Sequence, residues 1–307
     1  MSVEDKQALK ALEVRLRTIL PPQYQDCYED VQPVSMGSAG LKYGTDGRVA
    51  WNEIWGSFCD LAMAGGPPHK GKLLEPGSPE DIDANPDRYV EVVDEISRGI
   101  WMTADLQATL AGAPGWVSVD CRNPTMAEWL VRAIAMENIS VHGEGTRLCL
   151  PAGPGYRIAK EIKNVITAVA KTSHYWVEHM SIEQNWAIGN LFSIMSAVLP
   201  LVQPALPGYG FTPESHEALS RTIGDTVGKA TGLRHSAHQY AGWLGLECTD
   251  VQTAIWIMRA LVASNILSRR EDTTLFVPVN PASDPDGVYV AELLAQIHGL
   301  AVMRNAS

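Results

Sequence analysis

The chain has 307 residues, 46% hydrophobic and 19% charged, a balance that fills a real core and excludes both a disordered chain and a small scaffold dependent on disulfides. Its 24 Lys and Arg against 35 Asp and Glu leave a net charge of -11, which repels a phosphate backbone and argues against nucleic acid as a partner. The five cysteines, Cys27, Cys59, Cys121, Cys149 and Cys248, show no Cys-x-x-Cys spacing, so neither a disulfide framework nor a zinc knuckle is indicated.

Residues 1–85 form a first region, expected to be mainly helical. It opens with Met1-Ser2-Val3-Glu4-Asp5-Lys6, charged where a signal peptide is apolar. No stretch of the chain reaches the roughly eighteen uninterrupted apolar residues of a membrane span. The expectation is a cytoplasmic protein with no membrane partner. Trp51 to Met63 reads as a helix, and Gly65-Gly66-Pro67-Pro68-His69-Lys70-Gly71 follows it as a rigid exit loop. The plain reading is a C-cap with two prolines forcing the chain outward. A His and a Lys on such a loop also suit a carboxylate or phosphate, aided by Gly37-Ser38-Ala39-Gly40, so His69 and Lys70 are candidate substrate-binding residues. No Walker or G-x-G-x-x-G spacing supports a nucleotide fold.

Residues 86–207 and 208–307 form the second and third regions, and they match one another at a shift of 127 positions. Gly115-Trp116 falls on Gly242-Trp243, Cys121 on Cys248, Trp129 on Trp256, Arg132-Ala133 on Arg259-Ala260, and Asn138-Ile139 on Asn265-Ile266. From residue 115 to 154 there are fourteen identities in forty ungapped positions, where chance gives roughly two or three. Each copy opens with an N-cap residue, a proline and an acid, Asn85-Pro86-Asp87 or Thr212-Pro213-Glu214, and a helix of about 25 residues is predicted from there. Trp116 to Asp120 alternates as a half-buried strand, and Pro124 to Glu137 is apolar almost all round, hence a buried helix. Asn138 and Asn265 sit where a left-handed residue ends a helix, and Gly143-Glu144-Gly145 turns a hairpin between Ile139–His142 and Arg147–Pro151. After copy one, Arg157 to Met180 and Glu183 to Leu199 read as helices, and the prolines and glycines from Pro200 to Gly210 as a linker. The expected fold class is α+β: two pseudo-symmetric α-β-α-β-β repeats joined by long helices, behind the N-terminal region. Such a pair packs most simply about a pseudo-twofold axis with a cleft between copies, and a homo-oligomer is compatible with it.

Where the copies differ, the first is the richer in chemistry: Arg122, Asn123, Glu137, His142 and Cys149 stand against Thr249, Asp250, Ser264, Arg269 and Phe276. Cys121 lies at a strand end just before a helix, where free N–H groups and the macrodipole favour a thiolate, with Arg122 adjacent. Cys121-Arg122-Asn123-Pro124 resembles locally the Cys-x-x-Pro motif of the small sulfur-carrier proteins that feed tRNA thiolation. The likeness covers some thirty-five residues, and Cys248-Thr249-Asp250-Val251 lacks the proline, so no function is carried across. The plainer reading of either cysteine is a small buried hydrophobe.

On the helix from Arg157, Asn164, Thr167, Lys171, His174 and Glu178 form a polar stripe. His174 and Glu178, one turn apart, can bind a metal or act as a base with its orienting carboxylate, with Tyr175 and His179 close by; a solvated salt-bridge face is the commoner outcome. His235 and His238 would pair likewise if helical. Arg132 and Arg259, within apolar helices, are expected to pair with Asp120 and Glu247, or else to bind a substrate carboxylate. Trp51, Trp55, Trp116, Trp129, Trp243 and Trp256 read as core, although flat aromatic ligands favour such walls.

The leading functional expectation is a soluble enzyme acting on a small anionic metabolite by acid/base or thiol chemistry, in a cleft between the N-terminal region and copy one. Cys121, His174 and Glu178 would be catalytic, and His69, Lys70 and Arg122 would bind substrate. Cofactor and metal are unassigned. The alternative is a non-catalytic accessory protein holding a metal or an aromatic cofactor. A winged-helix-like regulator ranks last, because the helix from Thr125 to Glu137 is too apolar to enter a DNA groove.

Overall fold

The computed structural model describes residues 2–25, 40–53 and 71–305. The chain is α+β and divides into two compact units, Gln32–Met180 and Met1–Val31 with Ser181–Ser307. It opens with helix α1 (Val3–Ile19), which belongs to the second of these. Ser2 and Asp5 cap one another's backbone N–H groups there, at 2.9 and 3.0 Å.

In the Gln32–Met180 unit Trp51–Glu53 are helical, and beyond residue 71 come α2 (Pro79–Ala84) and α3 (Pro86–Ala104). Proline at the first position of α3 needs no N–H partner, and Val92, Val93, Ile96 and Ile100 on one face are buried. The helix runs 19 residues rather than about 25, because Asp105 adopts a left-handed conformation (φ 53°) and stops it. Strand β1 (Gln107–Leu110) follows, mostly exposed, where the sequence pattern predicts that the helix continues. The strand β2 (Trp116–Asp120) and the buried helix α4 (Pro124–Met136) are as expected, with Asn123 accepting from the Met126 N–H at 2.8 Å as N-cap. Asn138 takes the left-handed conformation (φ 58°), and its amide donates to the Gly71 carbonyl at 2.9 Å. β3 (His142–Glu144) and β4 (Arg147–Pro151) form the hairpin, turning at Gly145 (φ 59°), and the antiparallel sheet has the order β1-β2-β4-β3. A π-helical turn at Ile158–Ile162, helix α5 (Lys163–His174) and a second π-helical turn at Tyr175–His179 complete the unit. α5 lies tightly on α3: a Cβ on Gly99 would come within 2.2 Å of Ile166 Cδ1.

The other unit continues with α6 (Ile182–Val198) and α7 (Pro213–Thr231), the latter stopped by Gly232 at φ 78°. Then come β5 (Arg234–His235), β6 (Trp243–Glu247), α8 (Val251–Val262), the left-handed Asn265, β7 (Arg269–Glu271), β8 (Thr274–Pro278) and α9 (Val288–Asn305). Its antiparallel sheet has the order β5-β6-β8-β7. Trp116 opposes Pro151 in one sheet and Trp243 opposes Pro278 in the other, and Glu144 with Arg147 matches Glu271 with Thr274, each at the 127-residue shift. Four pairs of positive-φ positions obey the same shift: Asp105 and Gly232, Gly115 and Gly242, Asn138 and Asn265, Gly145 and Asp272. Each copy therefore reads α-β-β-α-β-β, one edge strand more than expected.

The described tryptophans expected in the core, Trp51, Trp116, Trp129, Trp243 and Trp256, are buried. Trp55, and most of the helix predicted over Trp51 to Met63, lie outside the described residues. Two side-chain expectations need correction. Strand register sets Asp120 opposite Arg147, 3.5 Å away, and Glu247 opposite Thr274, whose hydroxyl donates to it at 3.0 Å. Buried Arg132 instead donates to the Glu128 carbonyl at 2.7 Å, with the Glu128 carboxylate at 3.5 Å. His235 is in a strand, so it has no helical pairing with His238. Among the described residues no helix is long and apolar enough to cross a membrane.

Candidate functional site

Within the Gln32–Met180 unit a cavity of about 500 Å³ is lined by Arg122, His174 and Glu178, three of the candidate residues, together with Asn52, Ser173, Val177 and the run from Trp101 to Asp105. Its position follows from the backbone. The left-handed Asp105 ends α3 here and leaves the last turn, with half-exposed Trp101, on the wall. Arg122 stands on the turn between β2 and α4, and α5 brings Ser173 and His174 from a third direction.

The π-helical turn after α5 does what an α-helix cannot. Residues five apart on an α-helix diverge by about 140°, whereas the wider turn at Tyr175–His179 brings His179 back over His174. The two Nε2 atoms lie 2.9 Å apart, and His174 Nδ1 lies 3.2 Å from Glu178 Oε1. Both contacts are satisfied when Nδ1–H of His174 donates to the Glu178 carboxylate and Nε2–H of His179 donates to His174 Nε2, a tautomer assigned from the network. Burial, and then the neighbouring His174, push the His179 pKa below its ordinary value against the opposing pull of Glu178. The result is a carboxylate–imidazole–imidazole row. Beside it Ser173 lines the cavity, and its buried hydroxyl has no hydrogen-bond partner among the described residues. A buried hydroxyl left unmade costs about 1–3 kcal/mol, which a ligand oxygen would recover. One turn earlier on α5, Lys171 is fully buried against the Glu137 carboxylate, which fixes this end of the helix to the C-terminus of α4.

The other candidates fare differently. Cys121 is buried and is not among the residues lining the cavity. Desolvation, and then the Asp120 charge, push its thiol up to about 12, so burial overrides the helix-terminus field and the thiolate is scarce at neutral pH. Cys248 is pushed up to about 12 likewise, chiefly by burial. His69 and Lys70 lie outside the described residues. Sequence reasoning missed Ser173 and Trp101 altogether. Ser173 sits beside the polar stripe of α5, and Trp101 falls on the last turn of α3, so helical spacing gave some signal for each.

The matching place in the other unit also holds a cavity, of about 310 Å³, in which Thr231, Gly232 and Thr249 stand at the shift from Ala104, Asp105 and Arg122. Leu233, Arg234, Glu247, Cys248, Thr253, His298 and Val302 also line it, and Arg234 opposes Glu247 in the strand register. Among the described residues no group of three or more His, Cys, Asp or Glu is disposed to hold a metal ion. Comparison of the chain with protein-family models, with curated proteins and with solved structures finds no match.

Proposed function

We propose that the cavity of the Gln32–Met180 unit binds a small anionic molecule and that the His174–Glu178 pair moves a proton to or from it. The observation that carries this reading is the convergence, in one 500 Å³ hollow, of an unpartnered buried hydroxyl, a guanidinium and an imidazole oriented by a carboxylate. Each has a separate task. Arg122 supplies a planar pair of N–H donors for a carboxylate or phosphate group. The Ser173 hydroxyl donates to a second ligand oxygen. Glu178 holds the His174 ring with Nδ1 protonated and stabilises the imidazolium that forms when Nε2, released from the His179 N–H, takes the ligand's proton. Trp101 and Val177 give the ligand an apolar or aromatic wall. Thiol chemistry is left out, because the Cys121 sulfur is buried and protonated.

The test is native mass spectrometry of the full chain purified from its own cells, with Arg122→Ala, Ser173→Ala and His174→Ala beside the parent. The reading expects a retained small anion whose occupancy falls about tenfold or more in Arg122→Ala, in line with the loss of a charge-assisted bidentate contact. In His174→Ala the anion is expected to remain bound but unreacted. Equal retention in all four proteins would overturn it.

A further inference from the structure

A hollow of about 610 Å³ lies in the other unit and takes no part in the site above. Its walls are mainly apolar: Leu12 and Ala8 of α1 on one side, Leu293, Ile297 and Leu300 of α9 on the other. A volume of this size is in the span of small-molecule pockets, roughly 300–1,000 Å³. Two cations line it, Lys10 and Arg15, and no carboxylate does. On a chain with a net charge of -11 that is an unusual local balance. Arg15 is half-buried, its Nε is fully buried without a hydrogen-bond partner, and among the described residues its guanidinium has no ion pair. Burial also pulls its pKa below the ordinary arginine value, with Tyr289 pulling the other way. A desolvated guanidinium normally demands a carboxylate, and among the described residues none pairs with this one.

We infer that this groove is a binding site for an amphipathic carboxylate, an acyl chain lying along Leu12, Leu293, Ile297 and Leu300 with its headgroup on Arg15 and Lys10. The apolar wall and the unpaired cation select the two ends of such a ligand separately. The tail gains affinity from each buried methylene, and the headgroup completes the donor that the fold leaves open. Neither a plain phosphate, which has no tail, nor an alcohol, which has no charge, fits both ends.

The experiment is calorimetric titration of the full chain with hexanoate, octanoate and decanoate, and with decanol, for the parent and for Arg15→Met. The site expects affinity to rise about fourfold per added methylene until the groove is filled, and decanoate to bind at least about tenfold more tightly than decanol. Arg15→Met should erase that difference while leaving decanol binding in place, which also shows that the variant is folded. Arg15→Met should leave the small anion of the other unit retained, so this site and that one fail or stand separately. No decanoate binding by the parent, affinity independent of chain length, or an equal preference for decanoate and decanol in the parent would each overturn the proposal.

Discussion

The two copies of the sequence repeat share a skeleton and differ in what they do with it. Strand order, register and four left-handed positions recur at a shift of 127 residues, and a hollow recurs between the stop of the first helix and the turn that enters the next. The backbone therefore sets where a cavity forms, and the residues that have diverged set what it can hold. In the first copy Arg122 and the π-helical turn after α5 give it a guanidinium and a Glu178–His174–His179 row; in the second the positions of Asp105 and Arg122 carry Gly232 and Thr249, and the guanidinium on the wall, Arg234, stands opposite the Glu247 carboxylate. Divergence elsewhere is correlated across strands. His142 opposes Cys149, whereas Arg269 opposes Phe276 and stacks on its ring with 3.9 Å to the centroid, so one copy keeps a small polar pair where the other keeps a cation on an aromatic face.

The comparison is sharpened most by Lys171, whose buried partner Glu137 is replaced by Ser264 in the second copy. Lys171→Met should destabilise the Gln32–Met180 unit by about 3–5 kcal/mol, since it strands a buried carboxylate, while Glu137→Leu with Lys171→Met should recover most of that loss. Urea unfolding followed by tryptophan fluorescence checks both, and a single variant as stable as the parent would remove the pair as an anchor of α5.

Next in size are the glycines that begin β2 and β6. A Cβ on Gly242 would lie 2.2 Å from the Ala205 carbonyl oxygen, and one on Gly115 would lie 2.8 Å from that of Gly77, both at positive φ. Each alanine variant should lose about 2–3 kcal/mol from backbone strain and contact, with Gly242→Ala the worse of the two. Equal midpoints in urea would show that the second copy is no tighter than the first.

The smallest effect is acid softening. Burial lowers the pKa of His142 and His179 in one unit and of His216 and His298 in the other, from a reference of 6.5. The unfolded chain binds these protons more readily than the folded one, so stability is fully present above 6.5 and falls as pH drops from there through the depressed folded values. Thermal midpoints measured from pH 7 to 5 should decline in both units, and His142→Gln should flatten the decline in one of them only.

Much of this was legible in the sequence because it rested on period and punctuation. β2, α4, the left-handed asparagines and the hairpin each announced themselves through alternation, apolar runs or turn chemistry. Arg122, His174 and Glu178 were legible because a strand-to-helix turn and an i, i+4 spacing are local. What was not legible depends on contacts between distant residues or on unusual backbone. β1 is an exposed edge that needs β2 to be a strand at all, and Asp105 stops α3 without being a glycine. The meeting of His174 with His179 requires a π-helical turn that helical periodicity does not signal, and the pairing of Asp120 with Arg147 requires the register of β2 on β4. Cys121 was read from its place at a helix start, and burial decided otherwise.

The central claim is that the anion site belongs to the first copy's hollow because of the residues by which the copies differ. Imidazole NMR of the full chain, titrated with inorganic phosphate and with benzoate, tests it directly. The account predicts that the His174 and His179 signals move with one or both anions while that of His298 stays still, and that Arg122→Ala abolishes the movement where Thr249→Ala does not. Movement of His298 to the same extent, or silence at His174 and His179, would contradict it.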